Sequence, residues 1–168
     1  MTAHVKMAQD IECGEAEFWS SYFDRDLSRR LFLEGLGFKG YETTEQVETE
    51  TEIKRTIRAE PKLALPGPLQ KMFASGFHYL EQGSFDKATK VWRWKMIPST
   101  LKDKLIVNGK LWVVVLGDAK VRREIDVTIE CKVMMVGGLI EDTFKKQMED
   151  GWTKGADVQN QWLREAKA

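Results

Sequence analysis

Cysteine is scarce in this chain of 168 residues: Cys13 and Cys131 are far apart and show no CxxC spacing. A disulfide scaffold is not expected, and a reduced cytoplasmic protein is the simplest setting. Histidine is equally scarce. Neither His4 nor His78 has a Cys, Asp or Glu at the spacing of a metal ligand set, so no metal site is expected. The chain has no glycine-rich nucleotide loop, no GxxxxGK[ST] and no GxSxG. No cofactor is therefore expected, and no catalytic residue can be assigned. Net charge is absent too, because 26 basic residues balance 26 acidic ones. That argues against nucleic acid as the main partner, since such binding rests on neutralising phosphates. No apolar run approaches ~20 residues, so no transmembrane segment is expected. Residues 1–10 lack the apolar stretch of a signal peptide. There is no internal repeat, low-complexity tract or linker, and the length fits one domain over residues 1–168.

What is present is a pattern. Val121, Ile125, Val127, Ile129, Cys131 and Val133 alternate with Arg122, Glu124, Asp126, Thr128, Glu130 and Lys132. This period of two marks a half-buried strand, with the first set inward and the second exposed. After Val136-Gly137-Gly138 the period becomes helical. Ile140, Phe144, Met148, Gly151, Gly155, Val158 and Trp162 fall on one stripe of a helix running from about Gly138 to near the C-terminus.

Upstream, His4–Glu12 reads as a strand with Val5, Met7 and Ile11 on one face. Gly14–Phe23 and Asp26–Leu36 read as two short helices, the second capped by Asp24 or Asp26. Lys39–Val47 and Ile53–Glu60 read as a hairpin about Thr49-Glu50-Thr51, with the acidic run Glu42–Glu52 solvated. Residues 61–75 read as a loop with a short helix after Pro68. Phe77–Gln82 reads as a strand ended by a turn at Gly83-Ser84. Thr89–Ile97 follows as a strand that Pro98 breaks. Leu105–Leu116 pairs with Val121–Met134 about Gly117-Asp118-Ala119, placing Leu111, Val113 and Val115 inward and Trp112 outside. Every strand but the first can join its neighbour by a short connection, so an antiparallel meander covered by the terminal helix is expected. The class is α+β.

This order, with the junction Val136-Gly137-Gly138-Leu139-Ile140-Glu141, resembles the START-like (SRPBCC) helix-grip superfamily. Pro68-Leu69, Phe73, Tyr79-Leu80-Glu81 and Gly109 add to the likeness. Within that superfamily the chain looks most like a bacterial family of unknown function related to polyketide cyclase and lipid-transport proteins. The resemblance implies a curved antiparallel sheet of about seven strands wrapped on a long C-terminal helix, with two short helices after the first strand. It also implies a cavity for a hydrophobic or amphipathic small molecule.

Candidate ligand-binding residues follow from both readings. Gly151 and Gly155 each cost the helix about 1 kcal/mol relative to alanine. Either they leave room for a ligand, or they admit a tryptophan from the sheet. Trp92, Trp94 and Met96 form a stripe on one strand, as a cavity wall or as core packing. Arg55 and Arg123 fall on inward faces. They hold a ligand's carboxylate or phosphate, or else Arg55 pairs with Glu45 across the hairpin and Arg123 reaches solvent near its turn. Met148 lies on the same helix stripe. Tyr79 and Glu81 are the hydroxyl and the acid that a cyclase- or aromatase-like enzyme would use, the alternative to a non-catalytic carrier. Arg29-Arg30 and Lys102 with Lys104 offer contact to anionic lipid heads, although a solvated surface is the simpler reading.

Overall fold

The computed structural model describes residues 2–168. It runs β1 (Thr2–Ile11), α1 (Glu15–Tyr22), α2 (Arg25–Arg30), a π-helical turn at Leu31–Gly35, β2 (Gly40–Glu48), β3 (Glu52–Glu60), α3 (Gly67–Gln70), β4 (Tyr79–Asp86), β5 (Val91–Pro98), a 3-10 turn at Lys102–Lys104, β6 (Leu105–Gly117), β7 (Lys120–Cys131) and α4 (Gly137–Lys167). The described strands form one seven-stranded sheet in the order β1-β7-β6-β5-β4-β3-β2. All neighbours are antiparallel. Only β1 pairs out of sequence, so the chain must cross from one sheet edge to the other between β1 and β2. Helices α1 and α2 make that crossing. This is the α+β helix-grip architecture expected from the sequence. Among the described residues no helix is long and apolar enough to cross a membrane.

Local chemistry explains the elements. Asp24 caps α2, its Oδ1 accepting from the backbone N–H of Asp26 and of Leu27, both at 2.9 Å. The 31 residues of α4 span about 46 Å and pack on β1 and β7. Asn160 straps α4 to the end of β1, accepting from Glu12 N (2.8 Å) and donating to Asp10 O (3.1 Å).

In β7, Ile125, Val127, Ile129 and Cys131 are buried as the alternation requires. The opposite set, expected to be exposed, is half-buried at Glu124, Asp126, Thr128 and Glu130. The reason is the position of β7 between β1 and β6: Asp126 sits opposite Lys6 on one side and Lys110 on the other. On β6, Leu111 is buried and Trp112 is half-buried on the outer face, with the Lys110 ammonium 5.3 Å from its ring centroid. Val115 does not point into the core. It is 55% exposed, because the hairpin tip extends past the core and a bulge falls between Val115 and Gly117.

Three further expectations are corrected. Gly83-Ser84 is not a turn; it lies inside β4. A Cβ on Gly83 would run into the Trp92 ring, so the glycine makes space for a side chain of the next strand. The first hairpin is shifted by one residue. Arg55 faces Gln46 and Val47 faces Lys54, rather than Glu45 and Ile53. The Thr49 hydroxyl accepts from the N–H of Thr51 (3.3 Å) and Glu52 (3.2 Å), closing a tighter turn than the centred one. Finally, the buried side of α4 drifts from the expected stripe. Ile140, Phe144 and Gly155 are buried, but Ala156, Gln159 and Leu163 then take the sheet-facing side. Val158 and Trp162 are half-buried on the flank. There Val158 meets Gly35 of the π-helical turn, and the Arg30 guanidinium lies 5.8 Å from the Trp162 ring centroid.

Candidate ligand-binding site

A cavity of about 410 Å³ lies between the sheet and α4. That is within the usual size of a small-molecule site. Its apolar wall includes Leu27, Leu31, Phe32, Leu36, Phe38, Phe77, Trp94, Met96, Phe144, Met148 and Trp152. Gly151 and Gly155 of α4 look into it. A Cβ at Gly151 would meet nothing within 4 Å, whereas one at Gly155 would touch Leu31 Cδ1 at 3.6 Å. Empty space beneath a helical glycine is what a cavity requires and what close packing would have removed.

Polar groups enter this apolar volume from the strands. Arg55 on β3 is 6% exposed. Its Nη1 donates to Tyr22 O at 3.0 Å, and its Nη2 lies 3.7 Å from Glu81 Oε1 on β4. The guanidinium also sits 5.0 Å from the Tyr22 ring centroid, 5.2 Å from that of Phe23 and 5.1 Å from that of Trp92. Each contact of this kind favours the cation in a desolvated site. The pairing of strands produces the arrangement. Gly83 is opposite Arg55 in the β3–β4 register and carries no side chain, so the Trp92 ring lies over it and becomes a platform for Arg55. Gly109, opposite Trp94, gives that indole room in the same way.

Arg123 on β7 is 1% exposed. Its Nε and Nη2 donate to Gln9 Oε1 at 3.1 and 2.8 Å, and Nη2 also donates to Trp152 O at 2.7 Å. The Trp152 ring centroid lies 5.1 Å from the guanidinium carbon. Among the described residues no carboxylate lies within ion-pair distance of Arg123. Burial without a counter-ion pulls its pKa down to about 10, which leaves it charged near neutral pH.

Burial also sets the state of the acids in the cavity. The Glu81 carboxyl is pushed above its ordinary range by desolvation, which outweighs the opposing attraction of Arg55. Desolvation likewise raises the Tyr22 and Tyr79 phenols, so both stay protonated. The site thus holds two guanidinium groups, one carboxyl with a raised pKa and two phenol hydroxyls against aromatic walls. It can seat an apolar body and hydrogen-bond a polar head. It also places beside that body a carboxyl whose pKa burial raises.

Residues 6–163 match the family described as a protein of unknown function, DUF2505. The chain belongs to this family. A sequence comparison with curated proteins finds no match. Solved structures show the fold of this DUF2505 member in other settings. The Zhui aromatase/cyclase from Streptomyces sp. R1128 superposes with a TM-score of 0.73 at 9% identity, covering 100% of this chain and 97% of that one. A START superfamily protein from Mycobacterium smegmatis gives 0.62 at 11% identity, over 95% and 98% of the two chains. Norcoclaurine synthase from Thalictrum flavum, in complex with dopamine and hydroxybenzaldehyde, gives 0.64 at 16% identity, over 100% and 90%. At such identities the likeness shows the START-like fold alone.

In this DUF2505 chain Arg55, Tyr79, Glu81, Trp94, Arg123, Met148, Gly151 and Gly155 all border the cavity. Trp92 does not. It is fully buried under the Arg55 guanidinium and belongs to the core. Arg55 has a carboxylate partner, but it is Glu81 on the next strand rather than Glu45. Arg123 does not reach solvent, because Gln9 and Trp152 hold it inside. Tyr22, Gln9 and Trp152 are site residues that the sequence reading passed over. Gln9 was visible in principle: it alternates with Met7 and Ile11 on the inward face of β1, where a polar side chain needs a partner. Tyr22 and Trp152 carried no such signal.

Proposed function

We propose that this protein binds and carries a hydrophobic or amphipathic small molecule in the cavity between the sheet and α4. The observation that supports this best is Gly151, which faces open space inside an aromatic-walled cavity of about 410 Å³. A helix that only covered the sheet would be more stable with alanine there. The reading agrees with the fold neighbours, one of which is a cyclase and another a synthase held with two small aromatic molecules. Native mass spectrometry of the gently purified protein is the test. A population heavier than the polypeptide, releasing an apolar compound on denaturation, supports the carrier. A protein at its bare mass that also takes up no apolar dye counts against it.

A second reading has its own observation. Glu81 is a cavity carboxyl that burial holds toward the protonated form, two positions along β4 from Tyr79. A carboxylic acid of this kind can donate a proton to a ligand carbonyl, as a cyclase- or aromatase-like reaction needs. Its proximity to Arg55 makes a structural role the simpler one. Turnover of a bound polyketone-type compound, lost in Glu81→Gln with binding intact, favours the enzyme. Release of the compound unchanged favours the carrier.

A further inference from the structure

We infer that the ligand of this cavity is an anion, an apolar molecule carrying one carboxylate, and that the Arg123 guanidinium seats its head. The inference rests on the ligand-binding reading above and deepens it. The two buried arginines differ in what they have left to give. Arg55 is enclosed: Tyr22 O takes Nη1, Glu81 lies against Nη2, three aromatic rings surround its plane, and its one partnerless donor, Nε, is fully buried. Arg123 is held but not neutralised. Gln9 and Trp152 O occupy Nε and Nη2, both through uncharged acceptors, and among the described residues nothing accepts from Nη1. Nη1 also belongs to a residue that borders the cavity and is not among the sealed, partnerless buried atoms. Nη1 is therefore the donor of Arg123 that remains for a cavity ligand.

A buried cation with no counter-ion is unfavourable unless something supplies the missing charge. The rest of the lining cannot. Its charged residues are Arg55, Lys62, Arg123 and Lys154 against Glu81 and Asp150, an excess of positive charge even with both acids ionised. The chain as a whole is neutral, so the excess belongs to the cavity. Gln9 and Trp152 hold the guanidinium in one orientation, which reduces the ordering cost of binding a planar carboxylate. The cavity volume corresponds to roughly a dozen non-hydrogen groups at about 30 Å³ each, which sets the size of the test compounds.

Three probes with the same naphthyl body separate head-group charge from apolar contact: 2-naphthoate, 2-naphthylmethanol and 2-naphthylmethylammonium, each titrated calorimetrically at pH 7.5. The expected order is carboxylate tightest by at least tenfold over the alcohol, with the ammonium weakest. In Arg123→Met the carboxylate advantage should fall below twofold, while the alcohol keeps its affinity. If Arg123→Met does not fold, Arg123→Lys takes its place. It keeps the charge but loses the planar fork, and should weaken the carboxylate at least threefold without changing the alcohol. Equal binding of all three probes by the wild type overturns the anion assignment and leaves the cavity reading standing. A carboxylate preference that survives Arg123→Met, or is untouched in Arg123→Lys, places the anion elsewhere and overturns it as well. No binding of any probe overturns both.

Discussion

Arg55 and Glu81 approach each other across β3 and β4 with Nη2 and Oε1 3.7 Å apart, Arg55 buried and Glu81 half-buried. The pair is not a simple stabilising bridge. Taking a carboxylate out of water costs more here than Arg55 returns, so the Glu81 pKa is raised. A carboxyl whose folded pKa lies above its unfolded value stabilises the protein fully below the unfolded value, ordinarily 4.5. That contribution is lost as pH rises through the folded value. Glu81→Gln has no such titration. Its stability should therefore improve relative to wild type as pH rises above 4.5, read from denaturant midpoints at several pH values. A gap that stays constant, or moves in favour of wild type, contradicts the raised pKa.

The two strand glycines should be intolerant of a single methyl group. At Gly83 and Gly109 a Cβ would overlap the rings of Trp92 and Trp94. Gly83→Ala and Gly109→Ala should each cost about 1–3 kcal/mol in chemical denaturation through overpacking. Gly151→Ala is the contrast: its methyl meets nothing within 4 Å, and it should stabilise α4 by about 0.5–1 kcal/mol. Equal behaviour of strand and helix glycines would refute the distinction.

Asp24→Ala should destabilise the protein by about 1 kcal/mol, because it leaves the N–H groups of Asp26 and Leu27 without their shared acceptor. Asp24→Asn should recover most of the loss in the same thermal melt. Loss without recovery would place the role of Asp24 outside capping.

The sequence disclosed those features that depend on local periodicity. β7 was legible because its inward positions are apolar and its outward ones polar, and α4 because its first apolar residues recur at helical spacing. Features set by distant partners were not legible. Gly83 looks like a turn residue until Trp92 is seen above it. The register of the β2–β3 hairpin depends on hydrogen bonds of the Thr49 hydroxyl rather than on the pattern of the strands. The far half of α4 misled because Gln159, a polar residue, is buried there by a hydrogen bond to the Ser21 hydroxyl at 2.9 Å.

The site followed the same rule. Arg55 and Arg123 stood out as charges at inward positions, and Gly151 and Gly155 as weak points in a helix. That Arg55 faces a carboxyl, Glu81, while Arg123 has only uncharged acceptors depends on which strands become neighbours and on where α4 lies. Pairing of side chains across separate elements leaves no mark on the spacing of either one.

The most direct test of the ligand cavity is a titration of wild type and Gly151→Leu with the uncharged fluorophore N-phenyl-1-naphthylamine, alongside thermal melts of both. A Cβ at position 151 meets nothing within 4 Å and Gly151 borders the cavity, so the variant should melt within a few degrees of wild type and lose saturable dye binding by tenfold or more. Dye binding by Gly151→Leu that equals wild type, with both proteins folded, would contradict a ligand site beneath α4.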